Sequence, residues 1–241
     1  MIPKEIKDMK FSDVIAATAI ALALAIFTVI PNTIPVVGAF VQAHGFFMSF
    51  LKFAVLCTLG ELVGLRITTK QYIHAGFGLL PRAFVWGMIG LIINTAFIIY
   101  ATGTPSVLMG VGVSVPADAL DSGSFAIRLG MAFSISVLMN ILFAPLFMIA
   151  HRVLSMHIEK TGGTMKKFFS PIHVSKLMSE INWNMLWGFV LQKTIPFFWI
   201  PAHTITFLLP PELRVLFAAA LGVVLGIILA FASLKKAEAP A

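Results

Sequence analysis

The chain has 241 residues, 59% of them hydrophobic and 11% charged, with a formal net charge of +7. Soluble domains average about 45–50% apolar and about 25% charged residues, so a water-soluble fold is excluded: too few polar side chains exist to cover the apolar ones. The basic excess falls between apolar blocks, where a positive-inside bias explains it and nucleic acid is not called for as a partner.

Six apolar runs follow one another. In hydrocarbon every backbone polar group must be bonded internally, so runs of this kind become helices, and the expected fold is an all-α polytopic membrane bundle forming one domain. The first run, 14–30, is closed by Pro31. It follows a mixed-charge leader without a small-residue cleavage pattern, and is expected to be a retained span. The second, 46–65, contains Lys52, Glu61 and the lone Cys57, which has no intrachain disulfide partner and reads as lipid- or bundle-facing packing. The third is 84–100 and the fourth 125–150. The fifth, 183–199, is the least regular, because it holds Lys193 and Pro196, and a re-entrant course is its alternative. The sixth, 215–234, ends at Lys235 and Lys236.

Basic residues orient these spans. Lys4, Lys7 and Lys10 precede the first; Arg66, Lys70 and Arg82 lie between the second and third; Arg152, Lys160, Lys166, Lys167 and Lys176 lie between the fourth and fifth. The intervening loops hold almost none apart from Arg128 and Arg214, which predicts six spans with both termini cytoplasmic. A bacterial inner (cytoplasmic) membrane suits this pattern, or an organelle membrane if the source is eukaryotic. Residues 101–124, rich in Gly, Ser and Pro, are expected to form an outer loop: a lid over a cavity or a partly ordered surface segment. Residues 170–181 begin Ser-Pro and place Val174, Leu177, Met178 and Ile181 at helical spacing, predicting an amphipathic helix on the inner leaflet.

Ionisable residues inside spans are costly and mark bundle interiors or solute paths. Lys52 and Lys193 are expected at similar depth toward the outer side, either lining a positive, anion-favouring path or snorkelling to the interface. Glu61 lies about 13–14 Å deeper than Lys52; it lines water or pairs with a basic residue such as Arg82 or Arg152. Asn94, Asn140 and Gln192 are mid-span amides that bond across helices or line a pore. Gly60 with Gly64, and Gly222 with Gly226, make two small-xxx-small steps expected at close helix contacts. The six histidines show no HExxH spacing, one cysteine completes no zinc set, and neither a phosphate loop nor a serine elbow occurs, so no catalytic residue, metal or cofactor is expected.

Several stretches are similar to motifs of the Mpv-seventeen family of peroxisomal and inner-mitochondrial membrane proteins. Asn140-Ile-Leu-Phe-Ala-Pro145 resembles its Asp-Gln-x-x-x-Ala-Pro motif, with Met139 where the Asp stands. Trp199, Pro201, His203, Thr206, Phe207, Pro210 and Arg214 follow its Trp-Pro, Gln, Asn-Phe, Val-Pro and Arg signature, with His203 and Thr206 in place of the amides. Gly60-Glu61 is similar to its Gly-Asp, and Arg82 and Gly87 are kept in the third span. The resemblance, over residues 46–234, implies a small helical membrane protein affecting metabolite passage. It also implies a non-helical elbow from Trp199 to Pro211, with Arg214 capping the sixth helix.

The leading expectation is a channel or facilitator for small, anionic metabolites, with the bilayer, a small solute and copies of itself as partners. The alternatives are a substrate-binding subunit of a multi-component importer and a structural or assembly factor without a solute site.

Overall fold

The computed structural model describes residues 10–116, 118–121 and 123–238; Lys4 and Lys7 of the basic flank lie outside them. Among the described residues all regular structure is helical. Helix α1 is Phe11–Thr33, α2 Pro35–Ala43, α3 Gly45–Thr69, α4 Leu79–Gly110, α5 Phe125–Leu142, α6 Ala144–Lys160, α7 Met165–Phe168, α8 Val174–Ser179 and α9 Trp183–Met185. A π-helix, π1, Leu186–Trp199, continues into α10, Ile200–Leu208, and α11 is Pro211–Glu238. Five of these helices (α1, α3, α4, α5 and α11) are long and apolar enough to cross a membrane. The protein is a helical membrane bundle.

Each apolar run lies within a helix or a pair of helices, but several ends differ from the sequence-based expectation. Helix α1 passes through Pro31 and stops at Thr33, because Ile34 precedes Pro35 and is held extended at φ −114°, ψ 101°. Helix α4 runs to Gly110, so the outer loop shortens to residues 111–124. Gly103 and Pro105 read as loop residues, yet here they are helical. The hydroxyls of Thr102 and Thr104 donate to the carbonyls of Ile98 and Tyr100 at 2.8 and 2.6 Å, keeping these polar groups on the helix.

The fourth run is two helices that meet at Phe143, because Pro145 in the first turn of α6 has no N–H to continue the α5 ladder. The expected elbow at Trp199 and Pro201 does not exist. The chain stays helical to Leu208, and the break falls at Leu209, which is extended before Pro210. Arg214 accordingly caps the preceding helix, donating to the carbonyls of Leu209 and Phe207 at 3.0 and 3.3 Å. The helix expected over 170–181 is shorter; α8 buries Leu177 against Val153 and Met156 of α6, with Ile181 in the same cluster, and leaves Val174 exposed.

Helix α3 is the centre of the bundle, packed by α4 on one side, α11 on another and α1 on a third. Lipid tails are as apolar as Leu, so helix association rests on close van der Waals packing, which small residues permit. The two glycine steps face each other: a Cβ on Gly60 would stand 2.9 Å from Val223 Cα, and one on Gly64 would stand 3.5 Å from Gly226 O. Cys57 faces the bundle at this seam, with Sγ 3.7 Å from Ala219 O. Gly90 lets α4 approach the Ser49 carbonyl, where a Cβ would come within 2.3 Å.

Ion pairs gather at one end of the bundle. Arg66 holds Asp13 through Nε at 2.7 Å and Nη2 at 3.0 Å, and the Tyr72 hydroxyl donates to the same carboxylate at 2.8 Å. Burial and that hydrogen bond push the Tyr72 phenol up to about 12. Lys160 pairs with Glu180 at the same end. Opposite, Arg128 donates to the Leu120 carbonyl at 2.9 Å and Arg214 closes α10.

Candidate functional site

A cavity of about 610 Å³ opens between α3, α4, the α5–α6 junction, π1–α10 and α11. Its walls are mostly apolar and aromatic, with Phe53, Phe143 and Phe147 among them, and its polar residues form two groups.

The first group stands at the ion-paired end, around Arg82, in the first turn of α4 and one-tenth exposed. Its Nη1 donates to Glu61 Oε2 and its Nη2 to Glu159 Oε1, both at 2.9 Å, while Nε donates to the Phe77 carbonyl at 2.7 Å. The guanidinium lies 4.7 Å from the Phe77 ring centroid. These three bonds fix the planar fork and set two carboxylates against its single positive charge. The other oxygen of Glu61 lies 3.9 Å from His151 Nε2, and the His151 ring packs on Trp86 at 4.5 Å. Glu61 therefore both pairs with a basic residue and lines the cavity; of the two partners considered, Arg82 is the one it meets.

The second group surrounds Asn140, which is fully buried. Its Nδ2 donates to the Ser136 carbonyl at 2.9 Å and to His203 Nδ1 at 3.0 Å, with Ser136 Oγ at 3.3 Å. Ser136 Oγ donates onward to the Ile200 carbonyl at 2.7 Å, tying α5 to α10. The Ser136 carbonyl accepts only, so the NH₂ of Asn140 must face it, and this orients the amide. Because His203 Nδ1 then accepts, the imidazole carries its proton on Nε2. Trp199 and His203, four residues apart, share one helix face and stack at 5.1 Å and 24°. Phe97 meets the same imidazole edge-on at 5.8 Å. On α4, Trp86 and Phe97 are eleven residues apart, so the two polar groups are separated by about 16 Å along the helix axis.

Three polar atoms of these walls are buried without a hydrogen-bond partner: Trp86 Nε1, Trp199 Nε1 and Asn140 Oδ1. The fourth such atom among the described residues, Thr58 Oγ1, belongs to a residue that does not line the cavity. A buried polar group left unpaired costs about 1–3 kcal/mol, and these three atoms, none of them exposed, sit behind the surface of the cavity wall.

Of the residues singled out from sequence, Glu61, Asn140, Gly60, Trp199 and His203 line the cavity. Lys52, Lys193, Asn94 and Gln192 do not. Lys52 is buried on α3 without an ion-pair partner among the described residues, and Lys193 is exposed, 5.9 Å from the Phe189 ring. Asn94 is half-buried and Gln192 exposed. The two lysines thus form no common positive path. Pro145, Pro201, Thr206, Phe207, Pro210 and Arg214 shape the helices around the cavity without lining it; Thr206 and Phe207 are fully packed in the core. Sequence reasoning passed over Trp86 and His151 as site residues. Both sit at the ends of apolar runs, where tryptophan and histidine are ordinary interfacial residues. The available signal was the spacing of Arg82 and Trp86, which puts a cation and an indole on one face.

Comparison with protein-family models, with curated proteins and with solved structures finds no match to this chain.

Proposed function

We propose that the protein is a membrane facilitator for a small metabolite, with the 610 Å³ chamber as its binding site. The observation that carries this reading is the chamber itself, whose apolar and aromatic wall is broken by two polar groups, around Arg82 and around Asn140. Solute sites have this make-up, with a few placed polar groups in an apolar cleft. The ion-paired end is the basic end, so the positive-inside rule sets that end and both termini in the cytoplasm of a cell carrying the protein in its inner membrane. Preference for an anion loses its support, because Arg82 is held between Glu61 and Glu159, Arg152 is exposed and the two lysines lie elsewhere. An uncharged or zwitterionic solute fits better. The likeness to the Mpv-seventeen family agrees with a role in metabolite passage, and Gly60, Glu61, Arg82, Asn140, Trp199 and His203 are among the motif positions that line the chamber.

The test is flux. Proteoliposomes should exchange small neutral solutes faster than empty vesicles, and Trp199→Ala should slow that exchange. Rates equal to those of empty vesicles across neutral, zwitterionic and anionic panels would remove the reading. Reporter tags at the two termini should both be shielded in intact cells; a tag exposed outside would overturn the orientation.

A further inference from the structure

We infer that a second, smaller pocket, at the end of the bundle opposite the ion pairs, binds a phosphate oxyanion between Arg128 and Arg214. The inference goes beyond the facilitator reading, and the pocket shares no lining residue with the chamber.

The pocket encloses about 170 Å³ and is walled by Leu120, Asp121, Arg128, the turn from Phe207 to Pro211, and Arg214. It lies where two spans begin, α5 at Phe125 and α11 at Pro211. Both arginines reach the same stretch of backbone. Arg214 donates through Nε to the Leu209 carbonyl at 3.0 Å and through Nη2 to the Phe207 carbonyl at 3.3 Å. Arg128 donates through Nε to the Leu120 carbonyl at 2.9 Å and through Nη2 to the Leu208 carbonyl at 3.5 Å. Neighbouring Cα atoms are about 3.8 Å apart, so carbonyls on Leu208 and Leu209 set the two guanidinium groups side by side at the end of α10.

Two cations held this close call for an anion. The carbonyls they cap supply little, since a helix C-terminus amounts to about half a negative charge. Neither arginine makes an ion pair among the described residues. Asp121 lines the pocket without pairing, and Glu212 stands exposed in the first turn of α11, off the pocket wall. Two positive charges against one negative leave the wall positive. Each guanidinium also keeps its Nη1 without a partner among the described residues. Neither Nη1 is one of the buried unpaired atoms, so both have open surface. Arginine forks match carboxylate and phosphate. A planar carboxylate is filled by one fork, whereas a tetrahedral phosphate offers oxygens to two forks arriving from different helices. At the level where spans begin, that group comes from a phospholipid headgroup or from free phosphate in water.

The full chain, in a neutral detergent at constant ionic strength, is titrated by calorimetry with sodium phosphate against sodium chloride. Dihexanoyl phosphatidylglycerol against dihexanoylglycerol forms the lipid arm. A phosphate-bearing probe should saturate, with its phosphate-free control at least about tenfold weaker, the scale of one charge-assisted hydrogen bond. Saturation by sodium phosphate assigns a free anion; saturation by the phospholipid alone assigns a headgroup; saturation by neither overturns the inference. Asp121→Asn, an exposed change that keeps the side-chain shape, should tighten the phosphate probe about threefold by removing the negative wall charge. Arg128→Gln should weaken it about tenfold or more. Equal binding of probe and control, an Asp121→Asn affinity no tighter than the parent's, or full binding in a folded Arg128→Gln protein would each overturn the inference. The probe pairs and Asp121→Asn decide the matter even where Arg128→Gln does not fold.

Discussion

Replacing Arg82 by Gln should be among the most destabilising single changes in this protein. The guanidinium is one-tenth exposed and holds Glu61, Glu159 and the Phe77 carbonyl at once. Removing one partner of a buried pair costs about 3–5 kcal/mol, because the other charge is left uncompensated. Here Glu61 keeps 20% of its side-chain surface and Glu159 keeps 48%, so water offsets part of the loss. The expected cost lies at the low end, about 3 kcal/mol. A chain of this length shifts about 2–4 °C per kcal/mol, which converts to a fall of about 6–12 °C in the thermal midpoint. The assay is a melt in a single detergent, followed by intrinsic fluorescence. Glu61→Gln alone should cost less, since Arg82 retains Glu159. The double variant should be more stable than the sum of the two by about 1 kcal/mol or more, because it removes both members of the pair. An Arg82→Gln midpoint within about 2 °C of the parent, or strict additivity in the double variant, would refute the reasoning.

Two further tests bear on the packing. Gly60→Val forces α3 from α11, because its Cβ alone would stand 2.9 Å from Val223 Cα, so Cys57 at that seam should turn from maleimide-resistant to reactive; unchanged resistance at normal expression would show that the seam has slack. Tyr72→Phe removes the hydrogen bond to Asp13 and should cost about 1 kcal/mol. The phenol is raised above its ordinary value, so its contribution is fully present below about pH 10 and is lost as pH rises through about 12. The gap between parent and Tyr72→Phe melts should therefore close over that window, and a constant gap would argue against it.

The membrane fold was legible because apolar runs report the solvent around a segment, and every one of the six falls within helix. Winding and joints were not, because composition does not encode them. Nothing in the run from Phe125 to Ala150 announces a break at Phe143 except Pro145, which a membrane helix also tolerates. Nor does the run around Pro196 announce fourteen residues of π-helix. In the candidate site, Glu61 and Asn140 stood out as polar residues in apolar runs, and both line the chamber. Lys52 and Lys193 stood out by the same rule and do not, since a periodic position decides which way a side chain points and hydropathy does not. Trp86 and His151 were invisible for the opposite reason: they sit where such residues are ordinary.

The two irregular joints meet at the chamber, and this bears on why they exist. Irregular backbone at membrane depth is tolerated where it is buried in protein or lines a cavity, and π turns gather at functional sites. Phe143 and Ala144 at the α5–α6 junction line the chamber, as do Leu186, Val190 and Trp199 of π1. Pro196 and Pro201 flank Trp199 and remove two backbone donors from its neighbourhood. The Ile200 carbonyl there accepts from Ser136 Oγ and Thr204 Oγ1, each at 2.7 Å, so side chains hold the region where backbone donors are missing. That same Ser136 orients Asn140, and Asn140 sets the tautomer of His203. A regular helix through 186–208 would phase Trp199 and the residues before it differently around the axis, and this chain of bonds would lose its register. The α3–α11 seam, also part of the wall, is regular helix on both sides and is tightest at Gly60, where a Cβ would stand 2.9 Å from Val223 Cα. Irregularity at these two joints thus serves the cavity wall, because it brings Asn140, Trp199 and His203 into one hydrogen-bonded and stacked cluster.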